Sequence, residues 1–572
     1  MSSPNAAADA VMRDSRSVPA YEALAHDIKS RGYTMVFGLM SDDTALFVTT
    51  LDAIGVRFYG ARHENTAIAM AEGYAAATGE LGIAVIGRGP AAANGLHGAM
   101  FAHRTGSRVL LIFGASQVGQ TGGPDAKEFN AVGVFQAAGL KTFVAANSEG
   151  ARRTLENAID ATVNGGCATL LLPMNVQLGM VEYPGQMGVP TPAAAAPIPR
   201  KAGRSQAIEA AAGILNRSRK PLFVVGLGAH RSGAREAIEG LADKVGAVMA
   251  TTLKGKDMFH EHPYNLGVVG SFSHAAGRRL IDQADCIVAF GASLNQRTTS
   301  YGTSLPLDVP LVHVDVSPAP IGRLFHADVA IIADARTAAE QLASAVSEHA
   351  ASDKLFYTAG NRKLLAEHDL ASEFQSAPTP RTMDPRSFAI ELDRLLPPDR
   401  NAVYDAGNFL QVIPYISGLG PDHIKNTVDF ASVGMGFGTA LGFARGTPNR
   451  TTVLFVGDGG FLMTMGELET AAREDLPLVI VVINDSAYGA ELHFLKMRDM
   501  PVAKSVFADI DFAPVAQAFG FQAYTVRTLD ELRKLGPVLK NPDGPILLDC
   551  KINASIAAGY HTETFEHERR KS

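Results

Sequence analysis

The sequence predicts an α/β protein of three doubly wound domains with mainly parallel sheets. Short unbroken Val/Ile/Leu runs such as 452–456 and 478–483 end in Gly or Asp, the pattern of strands buried on both faces. Helical stretches alternate with these runs, as in βαβ units, whose right-handed crossovers bring strand ends to one edge of a sheet. At 572 residues the chain is too long for a single core, because domains run to roughly 100–200 residues.

Residues 1–17 are small and polar and lack the apolar core of a secretory signal, so a disordered leader and a cytoplasmic location are expected. The first domain spans 18–183, with helices at 21–31, 45–54 and 64–78 and strands at 35–38, 82–87, 109–114 and 169–173. Prolines and an Ala run mark 184–204 as a linker, a composition that cannot pack a core. A second domain covers 205–346, with strands at 222–226, 286–291 and 311–315. A second linker, 347–383, holds a polar helical stretch at 348–374. The third domain is 384–553, and 554–572 is a tail. No short-period repeat is visible.

Composition is that of a globular protein, 47% hydrophobic and 19% charged, with a formal charge of -7. That balance argues against nucleic acid or an anionic membrane as partner. No run of 18 apolar residues is present, so no membrane span is expected. Cys167, Cys286 and Cys550 sit in or beside apolar runs without metal-ligand spacing, which points to buried inert thiols and no disulfides.

The chemistry concentrates late in the chain. Gly457-Asp458-Gly459 closes the run 452–456, and Asn484-Asp485 closes the run 478–483, 27 residues after Asp458. The intervening 465–475 reads as a crossover helix, which sets two carboxylates at the ends of neighbouring strands. Mg²⁺ takes hard oxygen ligands and shares its shell between one or two carboxylates and phosphates, and the amides of Gly459 and Gly460 lie open to phosphate oxygens. An isolated Gly-Asp-Gly is a tight turn; the spacing to Asp485 favours a metal-diphosphate site.

These residues, Gly457-Asp458-Gly459-Gly460 and then Ile483-Asn484-Asp485, resemble the signature of thiamine diphosphate (ThDP) enzymes, departing from it where the family's second Asn is Asp485. The resemblance implies Mg²⁺ held by Asp458, Asp485 and the main-chain carbonyl of Ala487, with Tyr488 beside the cofactor. Arg62-His63-Glu64-Asn65, followed by Glu72-Gly73-Tyr74-Ala75, is similar to the family's pyrimidine-domain signature. There Glu64 would share a proton with the cofactor's pyrimidine ring, a role that requires a desolvated carboxyl; read without the family, it is a helix N-terminal acid favoured by the macrodipole. Gly87-Arg88-Gly89-Pro90 and Ala93-Asn94-Gly95 resemble a Gly-Pro-Gly-x-x-Asn turn, placing Pro90 and Asn94 in the cofactor pocket. His97 and His103 read as structural histidines, with His97 also a candidate for substrate contact. Asn130 stands where relatives carry a Gln that reaches the active site.

In the third domain the resemblance sets Gly407 and Asn408 on the diphosphate and Met435, before Gly436-Phe437-Gly438, beneath the two rings of a bent cofactor. A core methionine filling a gap is the alternative for Met435. Glu491 and His493 are the acid/base candidates, against a solvated helix-face reading of Glu491. In the middle domain Gly226, Gly228, Arg297 and Asp315 mark where relatives hold FAD, ADP or CoA. Only the last arginine of the family's run is kept, so FAD or ADP stands against an empty structural domain.

The order pyrimidine-binding, middle and diphosphate-binding domain is that of the acetolactate synthase and decarboxylase branch. It implies a ThDP- and Mg²⁺-dependent 2-oxo acid decarboxylase/carboligase, acetolactate synthase-like, forming or cleaving a C–C bond next to a carbonyl through a thiazolium carbanion and enamine. Substrates would be small 2-oxo acids or aldehydes. Glu64 and Asp458 lie in different domains, and the family builds each site from two subunits, which implies a homodimer or homotetramer. The alternatives are another ThDP lyase (benzaldehyde lyase-like, benzoylformate decarboxylase-like or 2-hydroxyacyl-CoA lyase-like) or a non-catalytic nucleotide-binding relative.

Overall fold

Eighteen strands of the computed structural model fall into three six-stranded sheets, and every pairing within them is parallel. The structure describes residues 15–119, 126–184, 201–306 and 308–571. Residues 1–14 of the expected leader and 185–200 of the expected first linker lie outside them. Ser15–Pro19 pairs antiparallel with Met180–Pro184. None of the helices of the described residues is long and apolar enough to cross a membrane.

The first sheet runs Arg57–Gly60, Met35–Gly38, Gly82–Ile86, Val109–Ala115, Cys167–Pro173, Lys141–Val144. The last runs Ile424–Asn426, Asn401–Tyr404, Thr452–Gly457, Leu478–Asn484, Ile546–Lys551, Gln522–Val526. Counted along the chain, both are 2-1-3-4-6-5. The middle sheet is instead 3-2-1-4-5-6, with Pro221–Val225 as its first strand in sequence, the order of dinucleotide-binding folds. Gly82–Ile86, Cys167–Pro173 and Leu478–Asn484 are buried along their whole length, which is why they read as unbroken apolar runs rather than alternating ones.

The first and last domains share one core. Helix Glu64–Thr78 crosses helix Met435–Gly446 so closely that a Cβ at Gly73 would lie 2.0 Å from the Thr439 carbonyl oxygen, and one at Gly442 would lie 1.8 Å from that of Met70. Only glycine permits that approach. Tyr74 and Phe37 on one side and Phe437, Phe443 and Leu454 on the other form one apolar cluster. Within this junction Glu72 is fully buried; its carboxylate takes an ion pair from Lys425 and a 2.6 Å hydrogen bond from the Ser107 hydroxyl. The middle domain packs a separate core around Phe223, Phe259 and Phe290.

The three cysteines are buried and free, and burial pushes the Cys167 and Cys286 thiols up to about 12. The polar stretch 348–374, expected to be helical, is helical only at Ala359–Ala366 and, as a 3₁₀ turn, at Leu370–Glu373. Thr358 and Asp369 each cap a new start there, so the stretch divides instead of continuing. The expected crossover helix 465–475 is likewise a 3₁₀ turn, Met465–Glu467, followed by helix Leu468–Arg473. Residues 554–572, expected as a tail, contain helix Gly559–Lys571.

His274, His368 and Glu373 bring ligand-type atoms within 4.8 Å of one another. They make a helix cap rather than a metal centre. His274 Nδ1 accepts the Gly277 N–H at 3.1 Å, and the ring also bonds to the Leu266 carbonyl, so its remaining nitrogen carries the proton and offers no lone pair. Glu373 accepts from the Ala275 N–H and the His368 ring, each at 2.6 Å.

Candidate active site

In a sheet of order 2-1-3-4, the crevice opens at the carboxyl ends of strands 1 and 3, where the strand order reverses. In the last sheet these are the ends of Asn401–Tyr404 and Thr452–Gly457, continued by Asp405–Asn408 and Asp458, with Asp485 following the next strand, Leu478–Asn484.

Asp458 is 3% exposed and begins helix Asp458–Thr464. Burial, and then the neighbouring Asp485, raise its carboxyl well above the usual range; Asp485 is raised too, by burial. The Ala487 N–H bonds to both carboxylates, and the Asn408 side chain bonds to Asp485. A Cβ at Gly489 would lie 2.5 Å from Asp485 Oδ2, so only glycine fits there beside that oxygen. Two desolvated carboxylates facing each other are a poor arrangement without a cation and a good one with it. This all-oxygen donor pair fits Mg²⁺.

The loop carrying the second carboxylate is held by its neighbour. Asn484 donates to Asp549 at 2.8 Å and to the Ile510 carbonyl at 3.1 Å, and it accepts the Ser486 N–H at 3.1 Å. Ser486 takes φ 55°, a costly value for a non-glycine residue. Tyr488 N bonds to the Ser505 carbonyl, and the Tyr488 ring stands edge-on to Phe507 at 4.5 Å.

Asp405, absent from the sequence-predicted set, organises the opposite wall. It is fully buried and accepts the Gly434 N–H at 2.7 Å, the Gly436 N–H at 3.1 Å and the Thr427 hydroxyl at 3.2 Å. Burial raises its carboxyl to about 6. It thereby holds the backbone N–H groups of the two glycines on either side of Met435, which is 3% exposed and packs on Ala69 and Phe101 of the first domain. An Asp one residue past a strand end was the available signal.

Glu64 opens helix Glu64–Thr78, is 8% exposed and accepts from Asn94 Nδ2 at 3.3 Å. Pro90 is the first residue of helix Pro90–Thr105, which also carries Asn94 and His97. His97 contacts the Ser432 hydroxyl and lies 6.0 Å from the Phe430 ring, and burial lowers its pKa. One face of this helix therefore connects Glu64 to the turn before Met435. Asn130 spends its amide oxygen on capping helix Ala131–Ala137, through the Gly133 N–H at 3.0 Å.

Glu491 is exposed in the first turn of helix Gly489–Lys496, whereas His493 is 3% exposed, bonds to the Ile556 carbonyl and faces His561 at 6.2 Å. The middle-domain residues do not converge on this crevice. Gly226 and Gly228 pack against the Gly291 backbone, Asp315 accepts the Ser317 N–H at 2.9 Å, and Arg297 bonds to helix Gly559–Lys571.

Family comparisons match all three domains. Residues 19–138 match "Thiamine pyrophosphate enzyme, N-terminal TPP binding domain", 208–342 match its central domain and 405–550 its C-terminal TPP binding domain. The acetolactate synthase large subunit of Pyropia yezoensis is 26% identical, over 86% of this chain and 84% of that one. Sulfoacetaldehyde acetyltransferase of Castellaniella defragrans is 26% identical, over 91% and 89%. The acetolactate synthase isozyme 2 large subunit of Escherichia coli K12 is 25% identical, over 92% and 94%. An X-ray structure from Mycobacterium smegmatis, presented as a thiamin diphosphate-dependent enzyme, superposes with TM-score 0.76 at 19% identity, over 94% of this chain and all of that one. At that identity it shows a shared fold.

Proposed function

Because the chain belongs to the thiamine pyrophosphate enzyme family, we propose that this ThDP-dependent enzyme is an Mg²⁺-requiring 2-oxo acid decarboxylase/carboligase of acetolactate synthase-like activity. The observation that supports it most is the desolvated pair Asp458 and Asp485, joined by the Ala487 N–H at the carboxyl-end crevice. When bound, ThDP supplies an electron sink for the pair of electrons left by a departing carboxylate.

The chain's own residues hold and orient. Asp458 and Asp485, with the Ala487 carbonyl, would take Mg²⁺, and Asn408 fixes Asp485 through its side-chain hydrogen bond. Gly407 and the amides of Gly459 and Gly460 would line the diphosphate. Asp405 holds the backbone on either side of Met435, whose side chain would support the bound cofactor. Glu64, shielded from water and bonded to Asn94, would hold the proton at the pyrimidine end. Glu491, exposed at the crevice-side turn of its helix, is the first candidate for moving protons to substrate. The middle domain reads as structural, without FAD or ADP, since Arg297 is engaged elsewhere.

The assembly is read as a homodimer or homotetramer in the cytoplasm. Phe430, Val433, Leu462 and Met463 are 37%, 36%, 39% and 56% exposed on segments flanking Met435 and following Asp458, an apolar surface that a second copy would cover. Light scattering tests this directly.

Supplying ThDP and Mg²⁺ and offering pyruvate, benzoylformate and a 2-hydroxyacyl-CoA, while following CO₂ and ligation products together, tests the activity. Acetohydroxy acid from pyruvate is expected. Aldehyde release from the other donors would favour a lyase of the same family, and bound ThDP without turnover would favour a non-catalytic relative.

A further inference from the structure

We propose that Arg297 and Tyr560 are positioning residues for the cofactor turn Gly407–Asn408, forming a strut from the middle domain to the crevice of the last domain. The inference rests on reading that turn as part of the ThDP site.

Tyr560 lies in helix Gly559–Lys571, is 8% exposed, and its hydroxyl donates to the Gly407 carbonyl at 2.7 Å. The segment just before it holds the next residue from both ends: Ala558 N–H donates to Asn408 Oδ1 at 3.0 Å, and Asn408 Nδ2 donates to the Ile556 carbonyl at 3.4 Å. Asn408 in turn bonds to Asp485. Both residues of the turn are thus tied to 556–560, and one of them passes the constraint on to a proposed metal ligand.

Gln411 and His493 of the last domain bond to the Ile556 carbonyl, and the middle domain holds Tyr560 and the helix that follows it. Arg297 Nη1 donates to the Tyr560 carbonyl and to the Thr564 hydroxyl, each at 3.0 Å, and its guanidinium lies 5.0 Å from the centre of the Tyr560 ring. Tyr301 adds a 3.1 Å hydrogen bond to Thr564 and stacks on His567 at 4.3 Å, and Ser271 bonds to Glu563. A planar guanidinium that both donates and stacks cannot be replaced by a shorter polar group. The arginine at a middle-domain position linked to nucleotides therefore has a different task in this chain: it clamps a helix whose start shapes the crevice.

The strut is tested with Arg297→Gln, Arg297→Lys and Tyr560→Phe in the full chain. Without cofactor, hydrogen–deuterium exchange at 405–411 should quicken in Arg297→Gln and Tyr560→Phe relative to the parent; unchanged exchange there in both overturns the inference, whatever the cofactor does. In calorimetric titration of ThDP at saturating Mg²⁺, both variants should bind about three- to tenfold more weakly, the effect of one or two hydrogen bonds, while the unfolding midpoint of the cofactor-free protein stays within a few degrees. Arg297→Lys, which keeps a donor but not the stack, should recover part of the loss. Affinity equal to the parent in both Arg297→Gln and Tyr560→Phe also overturns the strut. If the parent itself does not bind Mg²⁺-ThDP, the cofactor reading fails, and the exchange at 405–411 still decides the strut.

Discussion

Lys425, on the edge strand Ile424–Asn426 of the last sheet, forms an ion pair with Glu72 in the fully buried middle of helix Glu64–Thr78. The pair joins the first and last domains at their shared core, and the Ser107 hydroxyl satisfies the same carboxylate oxygen, while the other has no partner among the described residues. Removing one member strands a charge in a dry environment, which typically costs about 3–5 kcal/mol.

Lys425→Met should therefore lower stability by about 3 kcal/mol or more, and the double variant Glu72→Gln/Lys425→Met should recover part of it. Chemical denaturation of the parent and the two variants measures both. A single variant as stable as the parent would show that the pair contributes nothing.

Glu64→Gln removes the exchangeable carboxyl but keeps a side chain that can bond to Asn94. Calorimetry should find ThDP still bound, and turnover should fall by at least about a hundredfold, the usual weight of a general acid–base group. Normal turnover would remove Glu64 from the mechanism.

Asp485→Asn restores the family's usual amide and removes one negative charge from the proposed metal site. Half-saturating Mg²⁺ should rise about tenfold, since ligand charge sets affinity for a hard cation, and the bound cofactor should be released at lower chelator concentration. Equal metal affinity in the two proteins would contradict the ligand role.

His274 is held neutral: burial, and then the adjacent His368, push its pKa down to about 4 from the ordinary 6.5, against Glu373 and the Leu266 carbonyl, which act in the opposite sense. Between those values the unfolded chain binds more protons than the folded one, so stability falls as pH drops through that window. His274→Asn keeps an N-cap acceptor and removes this contribution. Its thermal midpoint should match the parent near neutral pH and fall less on acidification to about pH 4.5; parallel curves would refute the assignment.

The elements most visible in the sequence are those whose pattern is set locally. Helix Glu64–Thr78 and strands Met35–Gly38 and Leu311–Asp315 have the bounds expected from periodicity, because an interior strand or buried helix shows its burial in consecutive residues. Edge strands do not: Lys141–Val144 is exposed at both ends and Arg57–Gly60 begins with an exposed arginine. The carboxylates at 458 and 485 show through strand-end spacing. Their supports do not, since Tyr560 meets Arg297 across 263 residues and no local pattern records such a meeting. Asp405 is the intermediate case, placed by its strand but given its work by Gly434 and Gly436.

The first sheet repeats the strand order of the last, so it has a matching crevice beyond Met35–Gly38 and Gly82–Ile86. There Asp43, 4% exposed, turns its carboxylate inward and accepts the Arg88 N–H at 2.9 Å together with the Ser41 hydroxyl. A molecule folded twice on one plan thus gives one strand-end crevice to the proposed diphosphate site and stoppers its twin with an acid of its own. Titration should accordingly count a single equivalent of diphosphate per polypeptide.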